Sequence, residues 1–206
     1  MLGIETIRVF SSVFVGLLVV IAMVGFFGRK RRDLGSARAS NESNFVLLYH
    51  VWHVLSLPIP LVFLLAGIVM PSLVYGTILN LSFQGAEYLQ VLSLPLFLIA
   101  ITLLGWSARA LGQFMDTHIQ VLQKHELVTK GPYSRIRHPA YTSAIIGALA
   151  YALLYLNIIL LIALVAVLTI AYKRAVLEEE LLASEDGFGQ DYRDYMKRTG
   201  RFLPRL

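Results

Sequence analysis

Two clusters of chemically capable side chains bracket an uncharged stretch of 33 residues, Ala140 to Tyr172. At its start stand Tyr133, Arg137, His138, Pro139 and, just inside it, Tyr141; after it come Arg174, Glu178 and Glu179. Pro139 suits the first position of a helix, where its missing N–H would have had no partner. At such a helix start, free backbone N–H groups, the positive end of the helix dipole and two basic side chains converge, which suits a carboxylate or a phosphate. Arg137 and His138 would serve equally well as an anchor snorkelling to the headgroup level, and their types alone do not separate the two roles. Gly131-Pro132 marks a turn. Tyr133 and Tyr141 flank the basic corner with flat amphipathic rings able to stack on an adenine or a cationic group, although such tyrosines are common at any membrane interface. Arg174 and Glu178 lie four apart and share one helix face, as an ordinary ion pair would.

These clusters meet only if the stretch between them doubles back inside a bilayer. The composition points to one: 57% hydrophobic residues, 15% charged residues and a mean hydropathy of +0.67 are too apolar for an ordinary soluble domain. Roughly 20 apolar residues at about 1.5 Å each are needed to cross the ~30 Å hydrocarbon core. Val9 to Gly28 supplies a first helix, a region near Phe45 to Val69 a second, and Tyr88 to Ala108 a third, with a loop after Pro71. As one straight helix the stretch 140–172 would reach about 50 Å, too long for one crossing and short for two.

The basic residues decide between these. Of 18 Lys and Arg, five lie between Gly28 and Asn44, five from Arg109 to Arg137 and seven from Lys173 onward, leaving only Arg8 elsewhere. The positive-inside rule puts those three segments on the cytoplasmic side, and 70–87, which has no Lys or Arg, on the other. The expected fold is an all-α integral membrane protein with five transmembrane helices, the last two a helical hairpin turning near Asn157, and with the C-terminus cytoplasmic. The helix after the hairpin turn is expected to run past Leu182, because three glutamates at its very end would oppose its negative pole.

Several classes are disfavoured. With no cysteine there is no disulfide, thiolate catalysis or palmitoylation. The net charge of +5 resides mostly in loops that set orientation, so no nucleic-acid partner is expected. Arg29, Lys30, Arg31 and Arg32 open a Gly/Ser/Asn-rich run read as a solvated loop touching anionic headgroups. Because they follow the first apolar run, that run reads as a retained anchor rather than a signal peptide. The Asn80-Leu81-Ser82 sequon reads as chance, and His118 as a loop residue. His50 and His53 lie in a membrane segment with no third ligand nearby, so they are read as buried hydrogen bonding or a pocket lining and no metal site is expected.

The order His125, Leu127, Val128, Gly131, Tyr133, then Arg137-His138-Pro139-Ala140-Tyr141, then Arg174, Glu178, Glu179, then Phe188-Gly189, Tyr192, Tyr195, and finally Gly200-Arg201-Phe202 with Pro204, resembles the isoprenylcysteine carboxyl methyltransferase family and the related phospholipid methyltransferases. The likeness covers 125–206. Ser143 stands where a Gly often follows, and Ser184 to Gly187 is a longer link than usual. The resemblance implies an integral membrane enzyme transferring a methyl group from S-adenosylmethionine to a prenylcysteine carboxylate or another lipid-like acceptor. It implies a cytoplasmic cofactor-binding region formed by His125, Leu127, Val128, Gly131, Tyr133, Arg137, His138, Pro139, Tyr141 and Glu179, with Arg174 and Glu178 catalytic at the acceptor. The chain would then divide into N-terminal membrane helices over 1–112 and a methyltransferase core over 113–206. Phospholipid or amine N-methylation, an NADPH-dependent sterol-type reductase and a non-catalytic membrane scaffold are the alternatives. The acceptor, the oligomeric state and the host membrane, prokaryotic plasma membrane or endoplasmic reticulum, are not legible.

Overall fold

The structure, a computed structural model, describes residues 1–27, 37–40, 50, 52, 58–114, 120–122 and 126–205. Six helices are described: α1 Ile4–Phe27, α2 Pro58–Val69, α3 Ala86–Leu111, α4 Pro139–Tyr155, α5 Ile158–Ala183 and α6 Gln190–Arg198. A short 3-10 turn, Gly112–Phe114, extends α3, and another, Gly131–Ser134, precedes α4. Ala86–Phe114 and Ile158–Ala183 are long and apolar enough to cross a membrane, while α2 and α4 are shorter apolar helices. The expected second helix is described over Pro58–Val69; most of 45–57 lies outside the described residues. α3 runs through Pro95, as a membrane helix can where neighbours satisfy the freed backbone.

The hairpin is present. α4 starts on Pro139 and stops at Tyr155, where Leu156 takes a left-handed conformation (φ 45°) and its N–H returns to Ala152. Asn157 then caps α5, its side-chain oxygen accepting from the Ile159 N–H at 3.0 Å. α5 continues to Ala183, carrying all three glutamates inside the helix rather than at its end. α4 packs most extensively on α3 and then on α5, and α1 packs on α2 and α3.

The core away from the hairpin's basic end is aromatic. Phe14 and Phe97 stack with ring centroids 3.8 Å apart, and Tyr151 sets its edge against both. Tyr155, fully buried, donates to the Phe63 carbonyl at 2.9 Å and meets the Ser11 hydroxyl at 2.7 Å. Gly67 makes this approach possible: a Cβ there would lie 2.3 Å from the Tyr155 hydroxyl.

One element departs from expectation. Ala37–Ser40 pairs antiparallel with Gln120–Leu122 as a two-stranded ribbon, where a solvated loop was expected. The run Ala-Arg-Ala-Ser shows no alternation of apolar and polar residues long enough to announce a strand. Arg29 to Arg32 lie outside the described residues.

Candidate functional site: the basic end of the hairpin

Pro139 occupies the first turn of α4, which brings Arg137 and His138 to the helix start. The chain's last residues run alongside. The Arg137 N–H donates to the Gly200 carbonyl at 2.8 Å, the His138 N–H to the Arg201 carbonyl at 3.0 Å, and the Gly200 N–H to the Arg135 carbonyl at 3.0 Å. The Thr142 hydroxyl adds a bond to the Phe202 carbonyl at 2.8 Å. The amides of Arg137 and His138 are thus spent on holding 200–202 in place, and the site's positive charge comes largely from side chains.

Those side chains converge on Glu179, which is 3% exposed. Its Oε1 accepts from Arg137 Nε at 2.7 Å and stands 3.1 Å from His138 Nε2; its Oε2 accepts from Arg201 Nη2 at 2.6 Å. A buried carboxylate is tolerable only when paired and fully hydrogen-bonded, and here two guanidiniums and an imidazole do both. Two permanent cations against one anion leave the cluster with an excess of positive charge. Arg137 is further fixed by the carbonyls of Met196 and Thr199, so α6 and the segment after it are tied to the same group.

Beside this cluster lies a second. The Tyr141 hydroxyl donates to Glu178 Oε2 at 3.0 Å and accepts from Arg174 Nε at 3.3 Å. The sequence suggested that Glu178 orients Arg174 directly, one turn away on the same helix; instead a phenol from the other arm of the hairpin joins them. Arg174 is 2% exposed, with its guanidinium 5.8 Å from the ring centroids of both Trp52 and Tyr141. Trp52 meets Tyr141 edge-on at 5.3 Å, and the His138 ring stacks on Tyr141 at 5.4 Å with 21° between planes. His138 Nδ1 sits 3.6 Å from Glu178 Oε2, so this imidazole lies between the two glutamates. The Glu178 side chain is 31% exposed and is the open edge of the group.

Of the residues expected to act, Arg137, His138, Tyr141, Arg174, Glu178 and Glu179 therefore form one connected set, with Pro139 at its base. Gly131, with φ 61°, turns the chain close to Trp106, whose Nε1 would lie 3.0 Å from a Cβ there. Tyr133 is buried, and its carbonyl accepts from the Tyr195 hydroxyl at 2.6 Å, which braces α6. Leu127 and Val128 lie half-buried on the approach to that turn. His125, His53 and His118 lie outside the described residues, and His50 is exposed. Two members were missed. Arg201 was legible only as part of the Gly-Arg-Phe pattern, and Trp52 only as the residue between two histidines.

S-adenosylmethionine carries a carboxylate and two cationic groups, a sulfonium and an ammonium, and the residues present fit these charges. The excess cation around Glu179 includes Arg201, whose side chain is 28% exposed and suits a carboxylate; the half-open Glu178 suits a cation.

The fold is that of a helical membrane methyltransferase of known structure. The chain aligns with the eukaryotic intramembrane Ras methyltransferase ICMT (isoprenylcysteine carboxyl methyltransferase) at a TM-score of 0.53 and 20% identity, over 80% of this chain and 53% of that one. Residues 92–184 match the model of the isoprenylcysteine carboxyl methyltransferase (ICMT) family. It is 30% identical over 110 residues to the nickel-cobalt-cadmium resistance protein NccN of Alcaligenes xylosoxydans xylosoxydans, covering 53% of this chain and 51% of that protein. It is 31% identical over 114 residues to the cobalt-zinc-cadmium resistance protein CzcN of Cupriavidus metallidurans, covering 53% and 50%. YpbQ of Bacillus subtilis is 34% identical over 87 residues, covering 42% and 48%. The chain thus spans about half the length of the curated relatives it matches.

Proposed function

We propose that this chain is an integral membrane methyltransferase that uses S-adenosylmethionine to methylate the carboxylate of a prenylcysteine or a similar lipid-like acceptor. The observation that carries this reading is the junction of two differently charged groups at one end of the hairpin: the cationic cluster on Glu179, and the Tyr141 hydroxyl linking Arg174 to Glu178. Five crossings with a cytoplasmic C-terminus, and a methyltransferase core over 113–206, belong to the same proposal.

When bound, S-adenosylmethionine supplies a methyl group already activated on a sulfonium. What the protein adds is placement. Arg201 and Arg137 offer positive charge for the donor's carboxylate, while Glu179 holds both guanidiniums in fixed positions. Glu178 presents a carboxylate at the partly open edge, where positive charge is favoured. Arg174 lies beside two aromatic rings and is held by the Tyr141 hydroxyl, so that it can take an acceptor carboxylate. Such an acceptor is ionised near neutral pH and needs no base, so alignment and exclusion of water dominate the rate. An amine acceptor would have to lose a proton, and Glu178 is then the base.

Incubation of the purified protein with methyl-labelled donor, a farnesylcysteine analogue and extracted membrane lipids tests the reading. Label in a base-labile ester on the prenylcysteine supports carboxyl methylation, and base-stable label on a lipid amine supports the N-methyltransferase alternative. Absence of transfer to either acceptor contradicts both.

A further inference from the structure

The segment 70–85 contains no charged residue and faces outward with apolar side chains. Leu73 is 66% exposed, Ile78 fully exposed and Phe83 49% exposed, with Leu79 and Leu81 also open. This is not a loose loop. The Leu81 N–H donates to the Leu156 carbonyl at 2.8 Å and the Ile158 N–H to the Leu79 carbonyl at 2.9 Å, which pins it to the turn of the hairpin. Asn80 uses its whole side chain inward: Oδ1 accepts from the Thr77 N–H and hydroxyl at 2.9 and 2.7 Å, and Nδ2 donates to the carbonyls of Val74 and Tyr155 at 3.1 and 2.8 Å. Asn157, 2% exposed, shares the Val74 carbonyl at 3.4 Å. The two asparagines therefore turn inward while five large apolar side chains stand outward beside the exposed Ser72, Ser82 and Gln84, more apolar surface than a loop built for water presents.

Helix length supplies an independent argument. α4 has 17 residues, which at ~1.5 Å each is about 25 Å, less than the ~30 Å hydrocarbon core. With Arg137 and His138 at the headgroups of one face, the turn at Leu156 and Asn157 ends inside the far boundary of the core. Irregular backbone is tolerated at that depth only where its hydrogen bonds are made within the protein, as the Asn80 and Asn157 bonds do. Exposed apolar side chains recur on the neighbouring helix ends, with Val69 70% exposed, Val91 50% and Ile158 43%; the Glu87 carboxylate there is paired with the N-terminal ammonium at 3.1 Å.

We propose that the hairpin turn and the segment 70–85 lie immersed at the headgroup–acyl boundary of the leaflet opposite the site, with lipid as the occupant of this surface. The proposal rests on the hairpin and the membrane setting, and stands whether or not the chain transfers methyl groups.

Because the sequence contains no cysteine, Ile78→Cys creates a unique labelling site. Phe83→Cys provides a second position should the first variant express poorly, and Lys197→Cys, whose parent side chain is 72% exposed, gives a water-facing reference. Each is spin-labelled and reconstituted into liposomes, and collisions with oxygen and with a soluble nickel chelate are compared. Labels at 78 and 83 are expected to meet oxygen readily and nickel several-fold less than the label at 197. Nickel access equal to that at 197 overturns the proposal in favour of water. Low access to both agents with dipolar broadening between labels overturns it in favour of a second copy of the chain.

Discussion

Arg201 reaches Glu179 with Nη2 2.6 Å from Oε2, closing over the start of α4 a site that the hairpin alone would leave open. Both guanidiniums on Glu179 lie outside the helix that carries it: Arg137 just before α4 and Arg201 after α6. The site is thus assembled from three separate stretches, and a change in any one should be felt in donor binding.

Arg201→Ala should weaken S-adenosylmethionine binding by roughly 10- to 100-fold, the scale of one charge-assisted hydrogen bond. Arg201→Lys should recover only part, because a point charge cannot reproduce the fork. Equilibrium dialysis with labelled donor provides the measurement; equal affinity in all three proteins would remove Arg201 from the site.

Tyr141→Phe keeps the ring that His138 and Trp52 pack against and deletes only the hydroxyl between Arg174 and Glu178. Turnover should fall by about 10- to 100-fold, the range for a hydrogen bond to a charged group. Donor affinity should change little. Arg174→Ala should show the same split, chiefly in turnover. A fall in donor affinity matching the loss of rate would mean that Tyr141 belongs to the donor pocket instead.

Gly67→Ala should destabilise the fold by about 1–3 kcal/mol, the usual cost of overpacking a filled core. The new methyl group would collide with the Tyr155 hydroxyl. Thermal unfolding in detergent reads the effect, and pairing with Tyr155→Phe, which removes the colliding atom, should restore part of the loss.

Tyr195 makes the hydrogen bond that ties α6 to the Tyr133 carbonyl, and burial pushes its hydroxyl up to about 12 from an ordinary value near 10. The folded form holds this proton more tightly than the unfolded form. Its contribution is therefore complete below pH ~10 and lost as pH rises toward 12. Alkaline unfolding curves should show this decline in the parent protein and a shallower one in Tyr195→Phe.

The hairpin was legible because an uncharged run of a length wrong for one crossing, with basic residues at both ends and an asparagine near its middle, has few other solutions. That the Arg137–His138 corner meets Glu178 and Glu179 followed once the two arms were folded together. What escaped notice depends on contacts distant in sequence. Arg201 and the carbonyls of Gly200 and Arg201 reach the helix start from the end of the chain, and nothing local to Arg137 announces them. Tyr141 was legible as an interfacial ring, but its role as a bridge needs the register between α4 and α5, which no spacing within either helix fixes.

The central claim is that the cluster around Glu179 grips a sulfonium methyl donor. Binding of radiolabelled S-adenosylmethionine and of NADPH to the detergent-purified protein, alongside Glu179→Gln, tests it most directly. The account predicts saturable S-adenosylmethionine binding that is weakened in Glu179→Gln while NADPH does not bind; NADPH binding alone, or binding of neither compound, would contradict it.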